Sequence, residues 1–95
     1  MHVCFVNHEN APERLVTDAE IIFEEGPLDG AKLVGFCLWR SAGGELYVTF
    51  PSRAFGAGGE RRYFEYLRAA DGSAGIVKRI KLWILDEYRK DAATV

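Results

Sequence analysis

Apolar and polar residues alternate with a period of two over much of the chain and switch to a helical period near its end. In "TDAEIIFEE" (17–25), Ala19, Ile21 and Phe23 fall on one face, with Asp18, Glu20 and Glu24 largely on the other. That is the pattern of a half-buried strand, and "GPLDG" after it supplies turn residues. "AKLVGFCLWR" (31–40) is apolar on both faces: Leu33, Gly35, Cys37 and Trp39 point one way, and Val34, Phe36 and Leu38 the other. Such a strand is expected at the centre of a sheet, covered on both sides. "SAGGE" reads as a hairpin connection to "LYVTFP", where Leu46, Val48 and Phe50 share a face. Pro51 has no N–H for a ladder, so it ends that strand or holds it at an edge.

A second turn is predicted at "GAGG" (56–59), joining "ELYVTFPSR" to "RRYFEYLR". On the latter strand Tyr63, Glu65 and Leu67 share one face, and Arg62, Phe64, Tyr66 and Arg68 the other. "DGSAG" marks the last turn, with Ser73 as N-cap of a helix over "IVKRIKLWILDEYRK". At about 100° per residue, Ile76, Val77, Ile80, Trp83, Ile84 and Tyr88 form its apolar stripe. Leu82 and Leu85 lie off that stripe, so they are either incidental exposed leucines or a contact with a second subunit. The pattern predicts an α+β fold: an antiparallel sheet of about four strands with a C-terminal helix packed on it. Residues 1–95 read as one domain with its core in 17–90. Within it, 7–17 is a loop or an ill-ordered lead-in, and the pattern leaves open whether 1–16 is ordered.

Composition sharpens this only in places. Ninety-five residues with 48% hydrophobic and 27% charged content suit a small globular domain. No apolar run approaches a membrane span. The N-terminus lacks the basic region of a signal peptide, which makes the cytoplasm the expected location. Cys4 and Cys37 are then expected to be reduced.

The net charge of −2 hides an asymmetry. Residues 1–30 carry seven acids against Arg14, whereas residues 51–81 carry seven bases against Glu60, Glu65 and Asp71. A local basic field can steer an anionic partner despite an acidic whole; equally, the two ends can neutralise each other in the fold.

Candidate chemistry is sparse. Ser52 has no histidine near it in sequence, and Asp86 and Glu87, adjacent on a helix, face different directions and make a poor acid/base pair. His2, Cys4 and His8 lack standard zinc spacing, and "GAGGE" lacks the context of a phosphate-binding loop. The expectation is a non-enzyme with no cofactor, no metal and no small-molecule substrate. The alternative to an ordinary hairpin with a basic rim is a polyanion grip. Its candidates are Arg53, Arg61, Arg62 and Arg68, with Lys78, Arg79 and Lys81 at the helix start. Arginine bonds phosphate bidentately, and neighbouring rings can stack on unpaired bases. Against that, Phe64 reads as a core residue.

The order of "FPSR", a glycine-bearing loop, a glutamate–arginine pair opening the next strand and a helix with "ILDEY" resembles the stage V sporulation protein G (SpoVG) family of short bacterial septation regulators, over roughly residues 18–90. Pro51, Ser52 and Arg53 match its "PSK"; Gly59, Glu60 and Arg62 match its loop; Leu85, Glu87 and Tyr88 match its helix segment. The chain departs from the pattern at Ala54 and at "YFEYL", where Tyr66 and Leu67 replace a histidine and a proline. The resemblance implies a homodimer, without cofactor or catalysis, that binds DNA and in some members RNA and regulates transcription or the fate of RNA. Leu82 and Leu85 are the candidate dimer contacts. Phosphate contacts position without reading bases, so low sequence specificity is expected. The other class left open is a protein-interaction or assembly module with no nucleic-acid role.

Overall fold

The computed structural model describes residues 1–7, 9–56, 58–60 and 62–93. Four strands, β1 (His2–Val6), β2 (Leu15–Ile22), β3 (Lys32–Arg40) and β4 (Leu46–Thr49), pair antiparallel in chain order. The helix α1 (Gly75–Ala93) packs on one face of this sheet, completing the α+β architecture. β5 (Ser52–Phe55) and β6 (Arg62–Glu65) form a separate two-stranded antiparallel hairpin.

The fourth strand of the sheet is therefore β1 rather than the segment around residues 62–68. Pro51 explains half of this change. Without an N–H it interrupts the ladder after β4, and the chain leaves the sheet to begin β5. The vacated role falls to "HVCFV", whose Val3 and Phe5 stand opposite Ile21 and Ala19 and pack on the core. Cys4 and Val6, on the other face, are also apolar, so this strand carries no polar alternation to announce it.

A second difference lies in β3. Ala19 pairs with Phe36 but Ile21 pairs with Leu33, so Val34 and Gly35 together oppose Glu20. This is a bulge at Gly35, whose φ of +103° suits glycine. One extra residue resets the phase of the strand. Leu33 thereby joins Phe36 against the core while Val34 is 49% exposed, correcting the expected faces.

The core consists of Ala19, Ile21, Phe36, Leu38, Val48 and Phe50 beneath Ile84. Edge-to-face ring pairs fix its two ends: Phe36 with Phe50 at 5.1 Å and Phe5 with Tyr88 at 5.4 Å. The helical stripe includes Val77, Ile80, Trp83 and Tyr88 as expected, and also Leu85, which packs on the core of its own chain. Leu82 is exposed. The opposite face of the sheet is not covered by α1, so β3 is covered on one side and not both. There Trp39 pairs with Tyr47, and its indole N–H donates to Thr49 Oγ1 at 2.8 Å. Among the described residues no helix is long and apolar enough to cross a membrane.

Candidate nucleic-acid interface

The β5–β6 hairpin owes its position to two local signals. Pro51 detaches it from the sheet, and Gly56 and Gly58, both with positive φ, lead into the short 3-10 turn Gly58–Glu60. The ladder pairs Ser52 with Glu65, Arg53 with Phe64, Ala54 with Tyr63 and Phe55 with Arg62. Alternation then puts Arg53, Phe55, Arg62 and Phe64 on one face, each arginine beside a ring along its strand and opposite a ring across it. Tyr66 donates its N–H to the Pro51 carbonyl at 2.9 Å and carries the pairing one residue further.

The side chains on this face hold one another. Phe55 and Phe64 meet edge-to-face at 5.4 Å. The Arg53 guanidinium lies 4.7 Å from the Phe55 centroid, and that of Arg68 lies 4.9 Å from the Phe64 centroid. Exposed contacts of this kind contribute about 0.5–1 kcal/mol each. Among the described residues no carboxylate forms an ion pair with Arg53, Arg62 or Arg68. Glu20 and Glu24, from the acidic third of the chain, are instead engaged by Lys32, the Met1 ammonium and His2. The hairpin charge is thus steadied by rings and left available to solvent.

Phe64 is 49% exposed, which corrects its expected place in the core. The reason is the split at Pro51: once β5 and β6 leave the sheet, α1 no longer lies over them. Phe55 belongs to the same cluster and was not singled out in the sequence. Its signal was the alternation "RAF" after Pro51, legible once the strand is broken there. Tyr63 is also exposed, on the other hairpin face with Glu65.

The remaining expected residues divide. Arg68 and Arg79 line one groove of about 680 Å3 between the hairpin exit and the first turn of α1. Asp71 orders that corner: its carboxylate accepts the Ser73 N–H at 2.9 Å, which holds its pKa below the usual carboxylate value. The Ala74 carbonyl accepts the Lys78 N–H at 3.2 Å as the helix begins. Lys78 is exposed on the same turn. Lys81 is turned towards the sheet, its ammonium 5.4 Å from the Phe50 centroid. Arg61 lies outside the described residues, as does His8 of the His2–Cys4–His8 set. Among the described residues no group of three or more histidine, cysteine or acidic side chains is placed to hold a metal. Cys4 and Cys37 are free thiols.

The chain matches no protein-family model, no curated protein and no solved structure.

Proposed function

We propose that this chain is a small, non-catalytic, cytoplasmic regulatory protein of SpoVG-like type that binds nucleic acid through the exposed face of the β5–β6 hairpin. The observation that carries this reading is the alternation of Arg53, Phe55, Arg62 and Phe64 on one face, where no carboxylate pairs with Arg53 or Arg62 among the described residues, with Arg68 over the Phe64 ring. Guanidinium groups with no acidic partner displace counterions from phosphates at little cost. Gly56, Gly58 and Gly59 let the loop follow a backbone, and the groove shared by Arg68 and Arg79 extends the basic surface towards the helix start. Fluorescence anisotropy against labelled DNA and RNA at low and moderate salt tests the proposal. Binding that weakens steeply with salt supports it, and no binding at low salt defeats it.

One observation favours a second reading, a protein-interaction or assembly module that includes a homodimer. The open sheet face presents Trp39 and Tyr47 side by side, and Leu82 is exposed on the helix. Association through such surfaces would be nearly indifferent to salt, which separates it from the first reading.

A further inference from the structure

We infer that the hairpin face selects single-stranded over duplex nucleic acid, by stacking unpaired bases on Phe55, Phe64 and Tyr66; this rests on the nucleic-acid reading proposed above. Phe55 is 42% exposed, Phe64 49% and Tyr66 64%, a large commitment of aromatic surface to solvent in so small a domain. Within β6, Arg62 and Phe64 share one face about 7 Å apart; beyond Glu65 the chain bends at Tyr66 and Leu67. Arg62 precedes Phe64 on that face, and the guanidinium of Arg68 lies over the Phe64 ring.

A two-stranded ribbon can enter the major groove of a duplex, but reading base edges there requires donors and acceptors. Here two of the four side chains on the face are phenylalanines. Against a duplex, whose bases are stacked inside, these rings would lie against phosphate and sugar and lose solvent without gaining a partner. An unpaired strand gives each ring a base face, while the arginines keep the phosphates. Tyr66 also lines two grooves. One, of about 720 Å3, runs towards Arg68 and Ser73; the other, of about 620 Å3, runs towards Gly35 and Pro51. A base on Tyr66 therefore has open space beside it.

The test uses the whole chain and labelled 20-nucleotide probes at low salt: single-stranded DNA, single-stranded RNA, the matching duplexes, and an abasic strand of equal charge. Single strands should bind at least about tenfold tighter than duplex and abasic probes. The DNA and RNA arms identify which sugar is preferred. The triple variant Phe55→Leu, Phe64→Leu and Tyr66→Leu keeps apolar bulk and should bring single strands down to the abasic level with the salt slope unchanged; the abasic probe tests the same point on the unaltered protein. Equal binding of single-stranded, duplex and abasic probes would overturn the inference while leaving salt-sensitive nucleic-acid binding in place. A polyglutamate peptide binding as tightly as the single strands would overturn it too, since charge alone would then suffice. Absence of binding to every nucleic acid would remove both readings.

Discussion

Gly35 stands so close to Pro51 that a Cβ on the glycine would lie 2.8 Å from the Cβ of the proline. The bulge in β3 and the break after β4 are therefore one packing event: the missing side chain leaves room for the rigid ring at the point where the hairpin departs. Gly35→Ala meets that ring and also a φ of +103° that L side chains rarely adopt. The expected loss is about 1–3 kcal/mol, or a fall in Tm on the order of 5–20 °C for a domain of this size. Thermal denaturation followed by circular dichroism measures it. A variant as stable as the parent would mean that Gly35 and Pro51 do not meet in this way.

Ile84 and Leu82 are two residues apart on α1 and differ completely in burial, 0% against 57% exposed. Ile84→Ala leaves a cavity between helix and sheet and should cost about 2–5 kcal/mol in urea denaturation. Leu82→Ala should change the stability of the chain by less than about 0.5 kcal/mol. Under the proposed homodimer its effect appears instead as weaker self-association in sedimentation experiments. Leu85→Ala should resemble Ile84→Ala in sign, because Leu85 packs on the core.

These contrasts show which parts of the fold were legible in the sequence. Strong periodic signals were: the hairpin at "SAGGE" appears where the pattern puts it, the strand before "GPLDG" appears shifted to Leu15–Ile22, and the stripe of α1 appears without Ile76 and with Leu85 added. Long-range choices were not. Nothing local says that "HVCFV" will outcompete residues 62–68 for a sheet edge, because the outcome depends on where Pro51 releases the chain. The bulge at Gly35 shifts the phase of β3 by one residue, which a strict period of two cannot show. The candidate site suffered from the same break: Arg53, Arg62 and Arg68 were readable as a basic edge. Phe55 and the exposure of Phe64 became visible only once the hairpin stood apart from the sheet.

Arg53 and Arg62 sit diagonally on the hairpin face, on different strands and each opposite a phenylalanine. Replacing both by alanine should weaken nucleic-acid binding to a similar degree across unrelated sequences. If each holds one phosphate, the slope of log K against log salt should fall by about 1.4 on a single strand. Stability should drop by no more than about 1 kcal/mol, the order of the Arg53–Phe55 contact. Titrations at several salt concentrations give the slope, and an unchanged slope would take these two residues out of the phosphate contacts.

The edge strand β1 is tethered at its start by Glu24, whose Oε2 lies 2.6 Å from the Met1 ammonium and whose Oε1 lies 2.5 Å from His2 Nδ1. The hydrogen bond from the ammonium, and then that from His2, hold the Glu24 pKa below its ordinary value of 4.5. A depressed carboxylate pKa contributes stability that is present above the unfolded value and lost as pH falls through the folded one. Protection of β1 amides from hydrogen exchange, corrected for intrinsic rates, should therefore decline below about pH 4.5, before that of β3. Glu24→Gln should show the lower protection already at pH 6.

Cys37 lies opposite Asp18 on the sheet face away from α1, partly buried in the groove lined by Pro51 and Tyr66, its Sγ 3.5 Å from Oδ1. Burial pushes the thiol pKa up from 9.0, and the hydrogen bond and negative charge of Asp18 push it further. Only the thiolate attacks an alkylating reagent, so Cys37 should react with iodoacetamide more slowly in the folded protein than in urea at any pH below 9. The pH–rate profile of the folded protein should also be displaced to the alkaline side. Asp18→Asn removes the charge and should accelerate alkylation while leaving the burial contribution, so the profile should return only part of the way. Mass spectrometry of the Cys37 peptide after timed labelling reads both effects. A folded-state rate equal to that in urea would show that neither the sheet nor Asp18 restrains the thiol.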